Sequence, residues 1–177
     1  RDHPESEASF ISELSETADA WRGSAITSDG RISFEPPVEL SKREWEAVVS
    51  PGMPVAGIHI PGGGGMTPDV VDATLAEAGD FFVRYRKPVP VFTCASWILN
   101  TDLAEFMPQS NLALFQKKGF LFPVLSSQNG TDGLFFAFGR DDNRFSEYPR
   151  DNSLRRAILS ILESGRLLRC GGILIPV

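Results

Sequence analysis

The pattern of apolar residues changes period on either side of a run of four glycines. Before the glycines, residues 55–60 form a short apolar run bounded by prolines, which predicts a buried strand. After them, Thr67 as a hydroxyl N-cap and Pro68 at the first helical position mark the start of a helix that is predicted to end near Tyr85. Its apolar residues follow helical spacing and predict one buried face: Val71, Leu75, Ala78 and Phe82. A strand, a glycine loop and a helix are therefore predicted as the central unit.

Further strands and helices are predicted after this unit. Apolar runs predict strands at 89–96, 120–125, 134–139 and 172–177. Helical spacing predicts helices at 101–106, 111–118 and 153–164. The segment 134–138 (LFFAF) is apolar throughout, which is typical of a strand covered on both faces. This order of elements predicts an α/β domain built on a mixed sheet.

The N-terminal part has a different pattern. Residues 4–20 carry apolar residues at helical spacing among acidic ones, which predicts an amphipathic helix. An Asp-Gly pair within 25–34 predicts a hairpin, and Ser41 with Glu44 predicts a capped short helix that continues to residue 49. We therefore expect residues 1–20 to form a helix or connector and residues 21–177 to form one domain.

Charge and composition narrow the classes of function. The 177 residues carry a net charge of −6, which argues against nucleic acid as the main partner because phosphate binding needs a concentrated basic face. No apolar run is long enough to span a bilayer and no signal peptide is visible, so no membrane partner is expected. Two cysteines and two histidines give neither a disulfide framework nor metal-ligand spacing, so we expect no metal and a cytoplasmic setting. The chain opens on Arg1, which indicates a piece of a longer protein.

The glycine run is the first candidate for chemistry. Bare backbone at a helix N-terminus favours an anion, because unpaired N–H groups and the positive end of the helix dipole meet there. The spacing matches neither the P-loop nor the dinucleotide-binding glycine pattern. Asp69 and Asp72 would compete with a phosphate, and no Lys or Arg lies nearby in the sequence. The alternative is a connection that only reverses the chain.

Polar residues near the ends of two strands are the second candidate. His59 directly precedes the loop and could act as a general base, or be a half-buried histidine bonded to the backbone. Cys94, Ser96 and Asn100 lie together at the end of the next strand, where a thiol or hydroxyl could contact a reacting group. Cysteine is more often an inert buried residue, and no basic neighbour in the sequence lowers its pKa. A hydrolase that uses Cys94 with His59 is a further hypothesis.

Two stretches, VAGIHIPGGGGMTPDVVDATLAEAGDFF and NLALFQKKGFLFPV, resemble the core of the GNAT acyltransferase superfamily. Together with FTCASWILNTDLAEFMPQSNLALFQ, the first is more closely similar to the GNAT-like C-terminal domain of bacterial two-part N-acyltransferase-like proteins. The resemblance covers roughly residues 20–177. It implies a mixed, mostly antiparallel sheet flanked by helices, with a splayed central strand pair. It also implies a helical N-terminal domain in the same protein, to which residues 1–20 would connect.

The resemblance further implies an activity and a set of site residues. The chain would use an acyl-CoA, with CoA as the leaving group, and transfer the acyl group to a small-molecule amine. Loop amides would hold the CoA pyrophosphate, while the splayed strands admit the pantetheine. The implied pyrophosphate site is Gly62, Gly63, Gly64, Gly65, Met66 and Thr67. For this activity we also expect Ile60 and Asn100 to contact CoA, and His59, Cys94 and Ser96 to be the catalytic residues.

Two departures from the superfamily pattern leave the activity open. The usual loop is rich in Arg or Gln, whereas this loop has four glycines and no cation. The tyrosine that often protonates the leaving thiolate is replaced by Phe115, five residues before Phe120. Water, Cys94, Ser96 or His59 would have to supply that proton. The alternative is a catalytically inactive GNAT-like domain that serves as a binding or interaction module.

Overall fold

A small antiparallel sheet opens the described part of the chain. The structure, a computed structural model, describes residues 12–62, 65–126 and 130–177. Its first three strands are β1 (Leu14–Glu16), β2 (Ala20–Gly23) and β3 (Val38–Ser41), which pair antiparallel in that order. We call them the N-terminal sheet.

The helix predicted for residues 4–20 is wrong where the structure describes this segment, and residues 4–11 lie outside the described residues. The Thr17 hydroxyl accepts hydrogen bonds from the amides of Asp19 and Ala20, at 3.3 and 3.0 Å. This local bonding closes the turn between β1 and β2, and such bonding competes with helix formation. The division of the chain at residue 20 stays a prediction.

The hairpin predicted within 25–34 is present as a single antiparallel β-bridge between Ile26 and Ile32. Its turn contains Gly30 in a left-handed conformation, with a φ of +75°. The amide of Gly30 donates to the carbonyl of Thr27 at 2.9 Å and closes the turn.

The short helix predicted from Ser41 to Val49 is wrong. Ser41 ends β3, and only one turn follows, in which the amide of Trp45 donates to the Ser41 carbonyl at 3.0 Å. Trp45 is 57% exposed and Val48 is 59% exposed. A helix of this length needs an apolar surface to pack on, and these side chains remain mostly exposed.

A four-stranded mixed sheet forms the centre of the rest of the chain. Its strands are β4 (Ala56–Gly57), β5 (Val91–Ser96), β6 (Phe120–Pro123) and β7 (Gly171–Pro176), in the order β4-β5-β7-β6. β4 pairs parallel with β5, whereas β7 pairs antiparallel with both β5 and β6. The sheet is mixed and mostly antiparallel, as expected.

Helices cover this central sheet. The four that match the predicted helices are α1 (Pro68–Arg84), α2 (Thr101–Phe106), α3 (Asn111–Gln116) and α5 (Ser153–Glu163). The predicted apolar face of α1 packs on the sheet through Val71, Leu75, Ala78 and Phe82. A 3₁₀ helix, Trp97–Leu99, follows β5 directly.

The strand predicted at 134–139 is wrong, because this segment forms the short helix α4 (Leu134–Phe138). Leu134 is buried, with Ala137 and Phe138 packed beside it, whereas Phe135 and Phe136 are 63% and 75% exposed. The buried side therefore recurs at positions three and four residues apart, as in a helix. A run without polar residues hides that period in the sequence.

Two apolar clusters make up the core. The sheet cluster lies between the central sheet and α1 and α3, and consists of Ala56, Phe92, Cys94, Ile98, Leu99, Phe115, Ile173 and Ile175. The helix cluster gathers around α5 and consists of Leu103, Leu134, Tyr148, Ala157, Ile158, Leu159, Ile161, Leu162 and Leu168. Trp97 packs against both clusters and so joins them.

Candidate functional site

The parallel strands β4 and β5 part from each other before β5 ends. Ala56 faces Phe92 and Gly57 faces Thr93, and the amide of Ile58 then donates to the Thr93 carbonyl at 2.7 Å. Among the described residues, no hydrogen bond joins β5 beyond Thr93 to residues 59–62, which continue the chain from β4 to the glycine loop. β5 continues to Ser96 along β7. We call the space between the two strands the strand gap.

Main-chain groups line the β5 side of the strand gap. Alternate residues of a strand present their N–H and C=O groups to the same neighbour, so the backbone of Ala95 faces the edge at which Thr93 bonds Ile58. Ala95 is exposed, and a Cβ added to Gly57 would meet nothing within 4 Å. The β5 side of the gap therefore offers one peptide donor and one acceptor, beside an uncrowded face of the sheet.

The N-terminus of α1 follows the end of this strand pair. Thr67 has the extended N-cap conformation but its side chain makes no capping bond. The first helical bond runs from the Val71 amide to the Thr67 carbonyl at 3.0 Å. The amides of Asp69 and Val70 precede that bond and have no partner one turn back, as at every helix start. These amides and the helix dipole give the expected anion-favouring end.

Only part of the glycine loop falls within the described residues. Gly62 and Gly65 are described and exposed, and nothing lies within 4 Å of a Cβ added to Gly62. Gly63 and Gly64 lie outside the described residues. Met66 packs on the sheet cluster, as does Ile60, which fixes the chain on both sides of the loop. The proposed CoA contacts of the loop stay a prediction.

Lys118 brings a positive charge to α1 that the order of the sequence does not reveal. It follows α3, and its Nζ forms an ion pair and hydrogen bond with Asp72 Oδ1 on α1. From the sequence, no Lys or Arg was expected beside the acidic residues of α1. In the fold, Asp72 has such a partner in Lys118. The Lys-Lys-Gly that follows α3 was the only sign of this cation in the sequence. It could not reveal the ion pair, because Asp72 lies 46 residues before Lys118.

His59 lies exposed at the point where the strands part. Strand alternation places it on the same side as Gly57, whereas Ile58 and Ile60 pack on the sheet cluster. Its place beside the strand gap is compatible with the predicted role as a base, which stays a prediction.

Cys94 is buried in the sheet cluster, only 6% exposed. Burial raises the pKa of its thiol, since the charged thiolate loses solvation. The thiol form therefore prevails at neutral pH, which favours the inert alternative over a nucleophile. Ser96 accepts a hydrogen bond from the amide of Ile98 at 3.4 Å and so caps the 3₁₀ helix.

Asn100 is buried and its side chain makes three hydrogen bonds. Its Oδ1 accepts from the Asp102 amide at 3.0 Å and caps α2. Its Nδ2 donates to the carbonyls of Leu167 and Arg169, at 3.3 and 3.2 Å. Both N–H groups are therefore used within the fold, and the CoA contact predicted for Asn100 stays a prediction.

Buried Gln116 extends the same network in a way the sequence did not indicate. Its Nε2 donates to the carbonyls of Ile98 and Asn100, at 3.0 and 3.1 Å. Phe115, beside it, is 3% exposed within the sheet cluster and has no hydroxyl to donate. The Gln116 bonds therefore hold α3, α2 and the 3₁₀ helix after β5 together, and Phe115 supplies no acid there.

The described residues contain neither a candidate metal site nor a candidate membrane-spanning helix. They contain no group of three or more His, Cys, Asp and Glu side chains placed to hold a metal. They also contain no helix with both the length and the apolar character needed to cross a bilayer.

Comparisons with known proteins give a family and a fold. The family described as "GNAT-like C-terminal domain" matches residues 26–174. One similar solved structure is an acyltransferase in complex with decanoyl-CoA, at 23% identity and a TM-score of 0.63, covering 93% of this chain and 46% of that chain. Another is an acyltransferase in complex with CoA and 10C-teicoplanin, at 22% identity and a TM-score of 0.59, covering 92% of this chain and 46% of that one.

The chain thus spans less than half the length of these solved structures. At this identity the likeness shows the fold alone. Comparison with curated protein sequences gave no significant match.

Proposed function

The chain belongs to the GNAT-like C-terminal domain family, and from this premise we propose that it binds an acyl-CoA and takes part in transfer of the acyl group to an amine. The observation that carries the proposal is the strand gap, which opens after the hydrogen bond between Ile58 and Thr93. The solved acyltransferases of similar fold, with decanoyl-CoA or CoA bound, support the choice of ligand.

The strand gap suits the pantetheine arm of the donor. Pantetheine carries two amides, and the free backbone of Ala95 offers a donor and an acceptor for one of them. The pyrophosphate would then meet the N-terminus of α1, with Gly62, Gly65 and Thr67 at its approach. Binding to main-chain groups would align the thioester without any charged side chain.

The proposed reaction needs one base and one proton for the leaving group. The amine nitrogen attacks the thioester carbonyl, a C–N bond forms, and the C–S bond breaks to give an amide and CoA. His59, directly or through a water, would take the proton from the attacking amine. Water, Ser96 or the protonated His59 would give the thiolate its proton, because Phe115 has no hydroxyl and Cys94 is buried. Catalysis would rest on positioning of the two substrates.

Calorimetry with acetyl-, octanoyl- and decanoyl-CoA tests the proposal. It should be run on the chain alone and on a polypeptide extended to the length of the solved acyltransferases, because a helical N-terminal domain is the proposed partner. We expect saturable binding with a Kd of micromolar order, and weaker binding of the matching S-acyl pantetheine. Absence of binding by all three thioesters at hundreds of micromolar, for both polypeptides, would contradict the proposal.

A non-catalytic binding module is the second candidate function. It is favoured by Phe115, which has no hydroxyl at the position of the usual tyrosine acid, and by the burial of Cys94. In that case acyl-CoA would bind, but amine acceptors would not increase release of free CoA thiol. A thiol-release assay with His59→Gln as the matched variant separates the two, since only an enzyme loses rate while retaining affinity.

A further inference from the structure

Lys118 is held in a defined place beside the N-terminal half of α1. Its Nζ pairs with Asp72, and its side chain is only 21% exposed, so most of that side chain packs against protein. Asp72 lies four residues after Pro68, about 6 Å along the helix axis. Side chains on a helix lean toward its N-terminus, which carries this charge toward the end where the amides are free.

Lys118 can leave its partner Asp72 at a small cost in free energy. Asp72 is 61% exposed, so water can solvate its carboxylate when Lys118 leaves. An ion pair with one well-exposed partner contributes little to stability. A phosphate carries more charge and more acceptor oxygens than a carboxylate, and its charge-assisted hydrogen bonds to an ammonium group are strong. Exchange of Asp72 for a phosphate is therefore favourable for Lys118.

We propose that Lys118 is a phosphate-binding residue for CoA, and that Asp72 holds its side chain in position until the ligand arrives. This inference rests on the proposed function and adds to it the cation that the glycine loop lacks. In this role, Lys118 increases the affinity for CoA and contributes to recognition of its phosphates. It has no role in the proton transfers of acyl transfer.

Lys117 provides a matched control in the adjacent position. It is exposed at the C-terminal end of α3, and no ion pair of its side chain occurs within the described ranges. Both lysines contribute the same net charge. A loss of affinity caused by general electrostatics would therefore appear in both variants, whereas a specific contact would appear at Lys118 alone.

The test measures Kd by calorimetry for CoA, dephospho-CoA and pantetheine, with wild type, Lys118→Gln, Lys118→Arg, Lys117→Gln and Asp72→Asn. For Lys118→Gln we expect CoA binding to weaken by about tenfold or more, as for loss of one charge-assisted hydrogen bond. Lys118→Arg should retain most of the affinity, and Lys117→Gln should change it by less than about twofold. Pantetheine, which has no phosphate, should show no difference between wild type and Lys118→Gln.

The Asp72→Asn variant distinguishes an effect of the Lys118 charge on CoA binding from an effect of the ion pair on the fold. This variant breaks the pair but keeps the lysine and removes a competing anion, so CoA should bind as tightly as to wild type or a few-fold more tightly. If Lys118→Gln weakened binding only by disturbing the fold, Asp72→Asn would weaken it too. Dephospho-CoA identifies the phosphate: a loss of the Lys118→Gln effect assigns the 3′-phosphate, and its persistence assigns the pyrophosphate.

Two outcomes would overturn the inference in distinguishable ways. Wild-type binding of CoA with no change in Lys118→Gln, or an equal loss in Lys117→Gln, removes Lys118 from the phosphate site but leaves the proposed function standing. Failure of wild type to bind any CoA thioester removes the proposed function, and the role of Lys118 with it.

Discussion

The N-terminal sheet and the central sheet are stabilised in different ways. Among the described residues, neither the sheet cluster nor the helix cluster has a member before Ala56, so the N-terminal sheet adds no residue to the core. It is held instead by the Thr17 turn and by Lys42, which pairs with Glu16 at 2.6 Å and lies 5.1 Å from the centre of the Trp21 ring. The central sheet is held by burial of apolar side chains from distant parts of the sequence.

Contacts of the hairpin within 25–34 tie the N-terminal part to the rest. The hairpin tip packs so closely on β6 that a Cβ added to Gly30 would lie 2.8 Å from the Leu121 Cβ. Arg31 pairs with Asp102 of α2 at 3.6 Å. The strand gap, α1 and Lys118 all belong to the central part. The comparison therefore predicts that damage to the N-terminal sheet leaves the candidate site folded, whereas damage to the core does not.

The largest expected effect contrasts two leucines that differ in burial. Leu159→Ala, in the helix cluster at 0% exposure, should lower the free energy of unfolding by about 2–5 kcal/mol, because it leaves a cavity. Leu14→Ala, in β1 at 78% exposure, should change it by less than about 0.5 kcal/mol. Urea unfolding followed by tryptophan fluorescence measures both. An equal loss at Leu14 would mean that the N-terminal sheet is buried against a partner.

A smaller effect tests the contact between the hairpin tip and β6. Gly30 and Gly52 both have positive φ, +75° and +86°, but a Cβ at Gly52 would meet nothing within 4 Å. Gly52→Ala should therefore cost about 1 kcal/mol for backbone strain alone, and Gly30→Ala about 2 kcal/mol or more because it also displaces Leu121. Urea unfolding of the two variants gives the difference. An equal loss of unfolding free energy in the two variants would show that the hairpin tip does not pack closely on β6 in solution.

The smallest effect is a pH dependence confined to the N-terminal sheet. Lys42 lowers the pKa of Glu16 through a hydrogen bond and its charge. Because the pKa is lower in the folded state, the stabilisation is fully present above the ordinary glutamate pKa of about 4.3 and is lost as the pH falls further. Amide exchange should show residues 14–23 losing protection below that pH, while β5 and β7 keep theirs. Lys42→Met should abolish the pH dependence, and its persistence there would exclude Glu16 as the cause.

The sequence predicted best where one strong period coincided with clear end signals. For α1, Thr67, Pro68 and four spaced apolar residues gave both the boundaries and the buried face. The pattern failed where local bonds or uniform apolarity decided the structure. The Thr17 hydroxyl closed a turn inside a predicted helix, and the apolar segment 134–138 concealed a helix that leaves Phe135 exposed.

The candidate site was predictable in its backbone and not in its charges. A strand followed by glycines and a capped helix start indicated an anion-favouring end without any knowledge of tertiary contacts. The ion pair of Lys118 with Asp72 could not be predicted from the sequence. Its two residues are 46 positions apart, and only the packing of α3 beside α1 brings them together. Likewise, the capping bonds of Ser96 and Asn100 depend on the helices that follow them. Residue type alone could not separate such structural roles from catalytic ones.

The strand gap has a consequence for how such a domain can change over evolutionary time. Its β5 side is made of peptide groups, and every amino acid except proline supplies both the N–H and the C=O of such a group. Replacement of a side chain at Ala95 or Thr93 by any residue other than proline would leave the donor and acceptor in place, provided that the new residue does not fill the opening. Selection would therefore act on bulk and strand direction rather than on residue identity, and a binding geometry could persist after most of the recognisable sequence has drifted away.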